Sequence, residues 1–300
     1  MSSIADFRAL IERHAQPSLN SQETAIPGVS LMRLVSPGRP VRQTQDLIFY
    51  MVVGGGKTVT IGPHRTRLGP GDYIVSNADL DVASEIPDAS EADPYLGVAI
   101  RLDPVLALRT ARSLGLERPR EQTDRYIGGS GNDDGLVDAT LRLLALLDRP
   151  DDIPALAPLL EQEMVYRLLR SEVGPAFLEL ILVKNREMRI SRIIESINRH
   201  YSEQLDLEAM ARTNGFSLSS LFRHFKQATS LSPIQYQKKI RLRAARQLML
   251  AEEENAIGAA FKVGFGSPTQ FSREYKRAYG LPPARDIARL RAAGARNAES

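Results

Sequence analysis

The sequence predicts an α+β protein in two parts: a strand-rich barrel or jelly roll with a helical extension, then an all-α part built on a duplicated helix-turn-helix. Three observations predict it. Between Val29 and Leu102, short β-branched runs alternate with turn residues. From Pro104 onward the apolar period lengthens to about 3.6 residues. In the last third, "GFSLSSLFRHFKQATSLSP" (215–233) returns in near copy as "GFGSPTQFSREYKRAYGLPP" (264–283).

A chain of 300 residues is long enough for two domains, each burying its own core. With 43% apolar and 25% charged residues, the composition is that of a soluble globular protein. Apolar runs such as 46–54 are far short of the ~18 residues a membrane span needs. The N-terminal "MSSIADFRALIERHAQ" interrupts its apolar pattern with Asp6, Arg8, Glu12 and Arg13, unlike a signal peptide. No membrane association and a cytoplasmic location are therefore expected.

The absence of cysteine excludes disulfides, thiolate-bound zinc and Cys nucleophiles. Charge is unevenly divided. From residue 186 onward there are 20 Lys and Arg against 11 Asp and Glu, a net of +9; the first 185 residues hold 19 against 25, a net of −6. The basic part suits a polyanion, and the acidic part another task.

In the first part the strand candidates are "VSLMRLV", "LIFYMVV", "KTVTIG", "DYIVS" and "YLGVAIRL", separated by "VGGGK", "GPH" and "LGPGD". Helices are expected over "PVLALRTARSL", "DGLVDATLRLLALLD" and "PALAPLLEQEMVYRLLRS", each with Leu, Val or Met on one side.

No catalytic constellation emerges here. "GGGKT" (54–58) lacks the first glycine of a phosphate-binding loop, where Met51 stands, and a strand rather than a helix follows it; a β-hairpin turn is expected. His64 is read as a lone turn histidine, since His14, His200 and His224 lie outside the strand region, so neither a metal nor another cofactor is expected. "GGSGNDDG" (128–135) is read as a surface loop. Tyr50, Tyr73 and Tyr95 sit in strands where they could line an effector cavity; the alternative is that they are core or surface aromatics.

The second part parses by its caps. Asp206 caps "LEAMARTN", Gly215 ends it, and Ser217 caps "LSSLFRHFKQAT", in which Leu218, Leu221 and Phe225 point inward. The repeat follows: Asn255 caps "AIGAAFKV", Gly264 ends it, Ser267 and Pro268 start "PTQFSREYKRAY", and Gly280 stops it. Gly215 to Phe225 is ten residues and Gly264 to Tyr275 eleven, so the second repeat carries one extra residue. Phe271, Tyr275 and Tyr279, four apart, read as the buried side of their helix, leaving Arg273 and its neighbours on the other. Between the repeats, "SPIQYQKKIRLRAARQLMLAEEE" predicts a long helix with Ile240, Ala244, Ala245 and Leu248 on one stripe and Lys238, Lys239, Arg241, Arg243 and Arg246 around it. About 20 helical residues span ~30 Å, near the ~34 Å between successive major-groove faces of DNA. Ile190, Ile193, Ile194 and Ile197 of "RISRIIESINRHY" form the leading helix.

With those residues in place, "GFGSPTQFSREYKRAYGLPP" and the 75 residues before it resemble the two-motif DNA-binding domain of the AraC/XylS family of bacterial transcription regulators, over roughly 189–291. The first half is similar to the cupin-like regulatory domain of one subgroup, through "GPGDYIVS" and "LAPLLEQEMVYRLLRSEVG". The resemblance implies a cupin-like effector-binding or dimerisation domain over 1–175 and a DNA-binding domain over 176–300. It also implies base-facing positions at Ser219, Phe222 and Arg223 in the first recognition helix and at Thr269, Gln270 and Arg273 in the second. Arg suits a bidentate contact to guanine and Gln one to adenine; for Arg223 and Arg273 the alternative is a surface salt bridge. Phe222 would pack on a thymine methyl or close the core. Ser217, Lys226, Lys238, Lys239, Ser267 and Lys276 are the expected phosphate contacts.

The implied partners are double-stranded promoter DNA, a small-molecule effector of unknown identity, RNA polymerase if the protein activates, and a second copy of the chain. The helical segment 133–171 is the candidate for dimer contacts or interdomain coupling, with burial inside its own domain as the alternative. A ligand-independent DNA-binding protein, or an enzyme acting through the barrel, are the competing readings.

Overall fold

The computed structural model describes residues 4–18, 20–39, 46–61, 64–76, 82–116, 126–129, 134–251 and 254–298. The chain divides into two compact units, Met1–Asn185 and Arg186–Ser300.

The first unit runs α1 (Ile4–His14), β1 (Gln22–Glu23), β2 (Val29–Leu34), β3 (Ile48–Gly54), β4 (Lys57–Ile61), β5 (His64–Leu68), β6 (Tyr73–Ser76), β7 (Val82–Glu85), β8 (Tyr95–Arg101), α2 (Pro104–Ser113), β9 (Tyr126–Gly129), α3 (Asp134–Ala145) and α4 (Ile153–Arg170). It ends within α5 (Gly174–Arg199), where the division between the units falls. All strand pairs are antiparallel. One sheet has the order β1-β2-β8-β3-β6-β9 and the other β5-β4-β7.

Strand parity sorts the six-stranded sheet's side chains into two cores. Phe49, Met51 and Val53 of β3, with Leu96, Val98 and Ile100 of β8, join Phe7, Leu136, Val165 and Phe177 of the helices. Ile48, Tyr50 and Val52, with Tyr95 and Ala99, join Val59 and Leu68 of the three-stranded sheet. Helices thus cover one face of the large sheet and the small sheet covers the other. The expected barrel is two sheets packed face to face. Because both faces of β3 are covered, all seven of its residues are buried, and "LIFYMVV" shows no polar alternation.

Several local expectations need correction. The turn within "GGGKT" joins β3 of one sheet to β4 of the other, so it is a crossing between layers and not a hairpin. The hairpin is β4–β5, with Ile61 opposite His64, and His64 therefore begins a strand. In "GGSGNDDG", Gly128 and Gly129 pair with β6 and the last two residues start α3; 130–133 lie outside the described residues. The N-terminal stretch, read only as unlike a signal peptide, forms α1, which buries Phe7, Leu10 and Ile11 at helical spacing.

The second unit comprises the end of α5, then α6 (Leu207–Thr213), α7 (Leu218–Thr229), α8 (Pro233–Ala251), α9 (Ala256–Lys262), α10 (Pro268–Tyr279) and α11 (Pro283–Ala298). Two separate cores form. Ile190, Ile193 and Ile197 of α5 meet Ala211, Leu221 and Phe225, with Tyr236 of α8 packed on them. Leu242, Ala245 and Met249 of α8 meet Ala260, Phe271, Tyr275 and Ile287. One helix, α8, closes the first bundle and opens the second.

Candidate nucleic-acid interface

Each helix of the two repeats starts where its cap residue says. Asp206 accepts from the Ala209 amide at 2.9 Å, and Asn255 from Ile257 and Gly258 at 3.0 and 2.8 Å. Ser217 accepts from Ser220 at 3.2 Å and Ser267 from Gln270 at 3.4 Å. These bonds satisfy backbone donors that a helix N-terminus otherwise leaves open. The second helix of each repeat ends in a left-handed residue, Ser230 (φ 62°) after α7 and Gly280 (φ 81°) after α10.

The caps fix the register between repeats. Ser217 precedes Phe225, and Ser267 precedes Tyr275, by the same eight residues, so the extra residue of the second repeat lies in its turn, between Gly264 and Ser267. Ser219 therefore matches Thr269, Arg223 matches Arg273, and Lys226 matches Lys276. Gln270 matches Ser220, and Phe222 matches Ser272; neither serine was singled out from the sequence, although counting from the caps would have found both.

Amphipathicity decides which side is free. Leu221, Phe225, Phe271 and Tyr275 are fully buried, with Phe271 edge-on to Tyr275 at 5.5 Å and Tyr279 packed beside it. Ser219, Arg223, Lys226, Thr269, Gln270, Arg273 and Lys276 are exposed, and Phe222 is half-buried. The structure thus gathers three of these side chains on the open side of α7 and four on that of α10. Each helix presents hydrogen-bonding groups beside cations, the mixture that duplex recognition requires.

The remaining expected phosphate contacts differ among themselves. Ser217 and Ser267 accept the cap bonds through their hydroxyl oxygens, a role compatible with donating a hydroxyl hydrogen to a phosphate. Lys239 is exposed. Lys238 is half-buried and its Nζ lies 2.8 Å from Glu274 Oε1 on α10, an ion pair between residues 36 apart in sequence. The hydrogen bond from Lys238 holds the Glu274 carboxyl below its usual range, against a smaller opposing effect of burial.

Two further groups tune this surface. His224, half-buried beside Phe216, has its pKa lowered chiefly by desolvation and further by the charges of Arg186, Arg223 and Arg189, while a hydrogen bond with Gln227 opposes the shift. In the second repeat, the fully buried Asp286 of α11 accepts from Tyr275 Oη at 2.9 Å, from Arg246 of α8 at 2.8 Å and from Arg289 at 2.9 Å. Burial first, then this hydrogen bond, pushes the Tyr275 hydroxyl pKa well up.

In the first unit the three candidate tyrosines do not converge. Tyr50 and Tyr95 lie between the sheets with their hydroxyls hydrogen-bonded to each other, and Lys57 Nζ is 4.0 Å from the Tyr50 ring centre. Gly97, between them, admits no side chain: a Cβ there would overlap the Tyr50 hydroxyl. Tyr73 points to the opposite face of the same sheet and packs on Phe49 at 5.4 Å. Among the described residues, no group of three or more His, Asp or Glu could hold a metal, and no helix is long and apolar enough to cross a membrane.

Comparison with known proteins adds the following. The model of the AraC-type transcriptional regulator N-terminus matches residues 25–176, and a helix-turn-helix domain model matches residues 210–289. The HTH-type transcriptional activator RhaS from Salmonella dublin is 28% identical over 180 residues, 58% of this chain and 62% of that protein. RhaS from Salmonella schwarzengrund is 27% identical over 174 residues, 56% of this chain and 60% of that one. The matched region thus spans about three-fifths of these relatives' length. Among solved structures, the DNA-binding domain of AdpA in complex with a target DNA is 26% identical, covering 35% of this chain and 95% of that one at a TM-score of 0.34. ToxT from Vibrio cholerae is 11% identical, covering 86% and 96% at a TM-score of 0.37.

Proposed function

The chain belongs to the AraC-type transcriptional regulators, and from that premise we propose that its second unit reads promoter DNA through α7 and α10, one recognition helix per repeat. The observation that carries this reading is the matched placement of Arg223 and Arg273, both exposed, six residues after a serine cap and opposite a fully buried aromatic. In this reading Arg223, Arg273 and Gln270 contact base edges together with Ser219 and Thr269, Lys226, Lys239 and Lys276 meet phosphates, and Phe222 faces a thymine methyl. The net charge of +9 from residue 186 onward supports a phosphate-bearing partner. At 19 residues, α8 is about 28 Å long, which suits helices set in successive turns of one groove.

The first unit, roughly 1–175, acts in this proposal as the regulatory part and performs no chemistry. An effector held between its sheets, near Tyr50, Tyr95 and Lys57, would act by changing the population of DNA-competent molecules. A second copy of the chain is proposed to cover the exposed Leu156, Leu159 and Tyr166 of α4; the first two line a groove of about 370 Å³ with Arg142 and Leu146. RNA polymerase is the further partner if the protein activates, as its RhaS relatives are named for doing, and the cytoplasm is the proposed location.

Selection from randomised duplexes by the full chain, with sequencing of the bound fraction, tests this reading. Two conserved half-elements about one helical turn apart are expected. Salt-sensitive binding with no recovered motif would overturn it.

A further inference from the structure

One side chain is hydrogen-bonded to both repeats. Arg241, midway along α8, donates Nε to the Tyr201 carbonyl at 2.6 Å and Nη2 to the Glu203 carbonyl at 2.8 Å, both in the segment that follows α5. Its third arm, Nη1, donates to the Gly264 carbonyl at 2.7 Å, in the turn of the second repeat. A guanidinium is rigid and planar, so three carbonyls bound to it are fixed relative to one another. Burial lowers the Arg241 pKa, as expected of a cation held among backbone groups.

Two more observations place this segment at the junction. Tyr201 packs against the second repeat's core. Gly264, at φ 88°, lies so close to Ser202 that a Cβ would sit 2.7 Å from its carbonyl carbon. In the first repeat the corresponding turn is held differently: Arg189 of α5 donates to the Asn214 and Gly215 carbonyls at 3.2 and 3.3 Å. Arg189 therefore binds a turn of its own repeat, whereas Arg241 binds a turn and also the neighbouring repeat. Gln237, one helical turn earlier, donates to Tyr201 and Glu203 at 2.9 and 2.6 Å but makes no bond to Gly264.

We propose that Arg241 is a positioning residue that sets the spacing at which the two helix-turn-helix repeats read DNA. This rests on the reading that α7 and α10 each contact one half-element. With Arg241 in place the repeats present one fixed separation. Without it, Gln237 still ties the 201–203 segment to α8, but the turn before α10 is released and neighbouring separations become accessible.

The test uses the full chain on duplexes in which two selected half-elements are separated by the preferred spacer or by one or two base pairs more or fewer. Wild type should favour one spacer by about tenfold, the scale of one mispaired base contact. Arg241→Lys retains the charge but cannot span three carbonyls; it should compress that preference to within about threefold while leaving base preferences inside each half-element unchanged. Gln237→Met should keep the wild-type preference. Arg241→Gln provides the same readout should the Lys variant melt early. An unchanged spacer preference in the Arg241 variants would overturn the proposal, and so would uniform weakening with a shallower salt slope, which marks a phosphate contact. Failure of wild type to bind any paired half-elements would instead remove the two-repeat reading itself.

Discussion

Tyr275 on the second recognition helix donates its hydroxyl hydrogen to Asp286 at 2.9 Å, where the first repeat sets Phe225 edge-on to Tyr236 at 5.5 Å. The two pairs occupy matching positions counted from the serine caps. At this position the first repeat pairs two aromatics, whereas the second adds to its aromatic packing a buried carboxylate that also holds Arg246 and Arg289. Besides its aromatic packing, α10 is thus held by a polar network shared among three helices.

Removing that carboxylate should be costly. Asp286→Ala leaves Arg246 and the Tyr275 hydroxyl without their acceptor, and a loss of about 2–3 kcal/mol is expected, below the usual range for a broken buried pair because Arg289 is largely exposed. Tyr275→Phe should cost only about 1 kcal/mol. Chemical denaturation of the full chain and both variants measures this. Equal, small losses would show that the network contributes little.

Base reading and phosphate binding separate by specificity. Arg273→Ala should weaken selected duplexes by about 1–3 kcal/mol more than random ones. Lys276→Ala should weaken both alike and reduce the salt slope by about one. Titrations at several salt concentrations distinguish them, and equal loss on both duplexes for Arg273→Ala would remove its base-reading role.

If Lys238 is a phosphate contact, its ion pair with Glu274 withholds that cation from DNA. Glu274→Gln should therefore raise affinity for random duplexes, and adding Lys238→Ala should cancel most of that gain. A gain that survives in the double variant would mean that Lys238 is not the group released.

Acid should act through His224. Its folded pKa lies below the ordinary 6.5, so the unfolded chain takes up the proton first. The stability this provides is complete above pH 6.5 and is lost as pH falls from there through the folded value. Tm of the full chain should drop over that window, and the drop should shrink in His224→Gln. An unaltered slope in the variant would assign the effect to another group.

How much of this was legible in the sequence depended on the range of the interactions. Caps, turns and buried aromatics act within one or two helical turns, so Asp206, Ser217, Asn255 and Ser267 announced their helices and the repeat confirmed the frame. The partners of Lys238 and Arg241 lie 23 to 40 residues away, and Tyr275 and Arg246 lie 11 and 40 residues from Asp286, so these contacts exist only once the bundles close. In the first unit, β5 was missed because Arg65 and Arg67 are exposed and break its apolar pattern. Tyr73 was grouped with Tyr50 because side-chain direction follows from pairing: Tyr73 stands opposite Met51, while Tyr50 stands opposite Ile74. The "GGGKT" turn misled in the same way, since which sheet receives a strand is set by layers and not by the turn.

The measurement that bears most directly on the two-repeat account is guanine methylation interference on a selected duplex, with the full chain and its Arg223→Ala and Arg273→Ala variants. The account predicts two clusters of interfering guanines about one helical turn apart, one losing its effect in the first variant and the other in the second. Interference that is absent, or that weakens identically at both clusters in both variants, would contradict it.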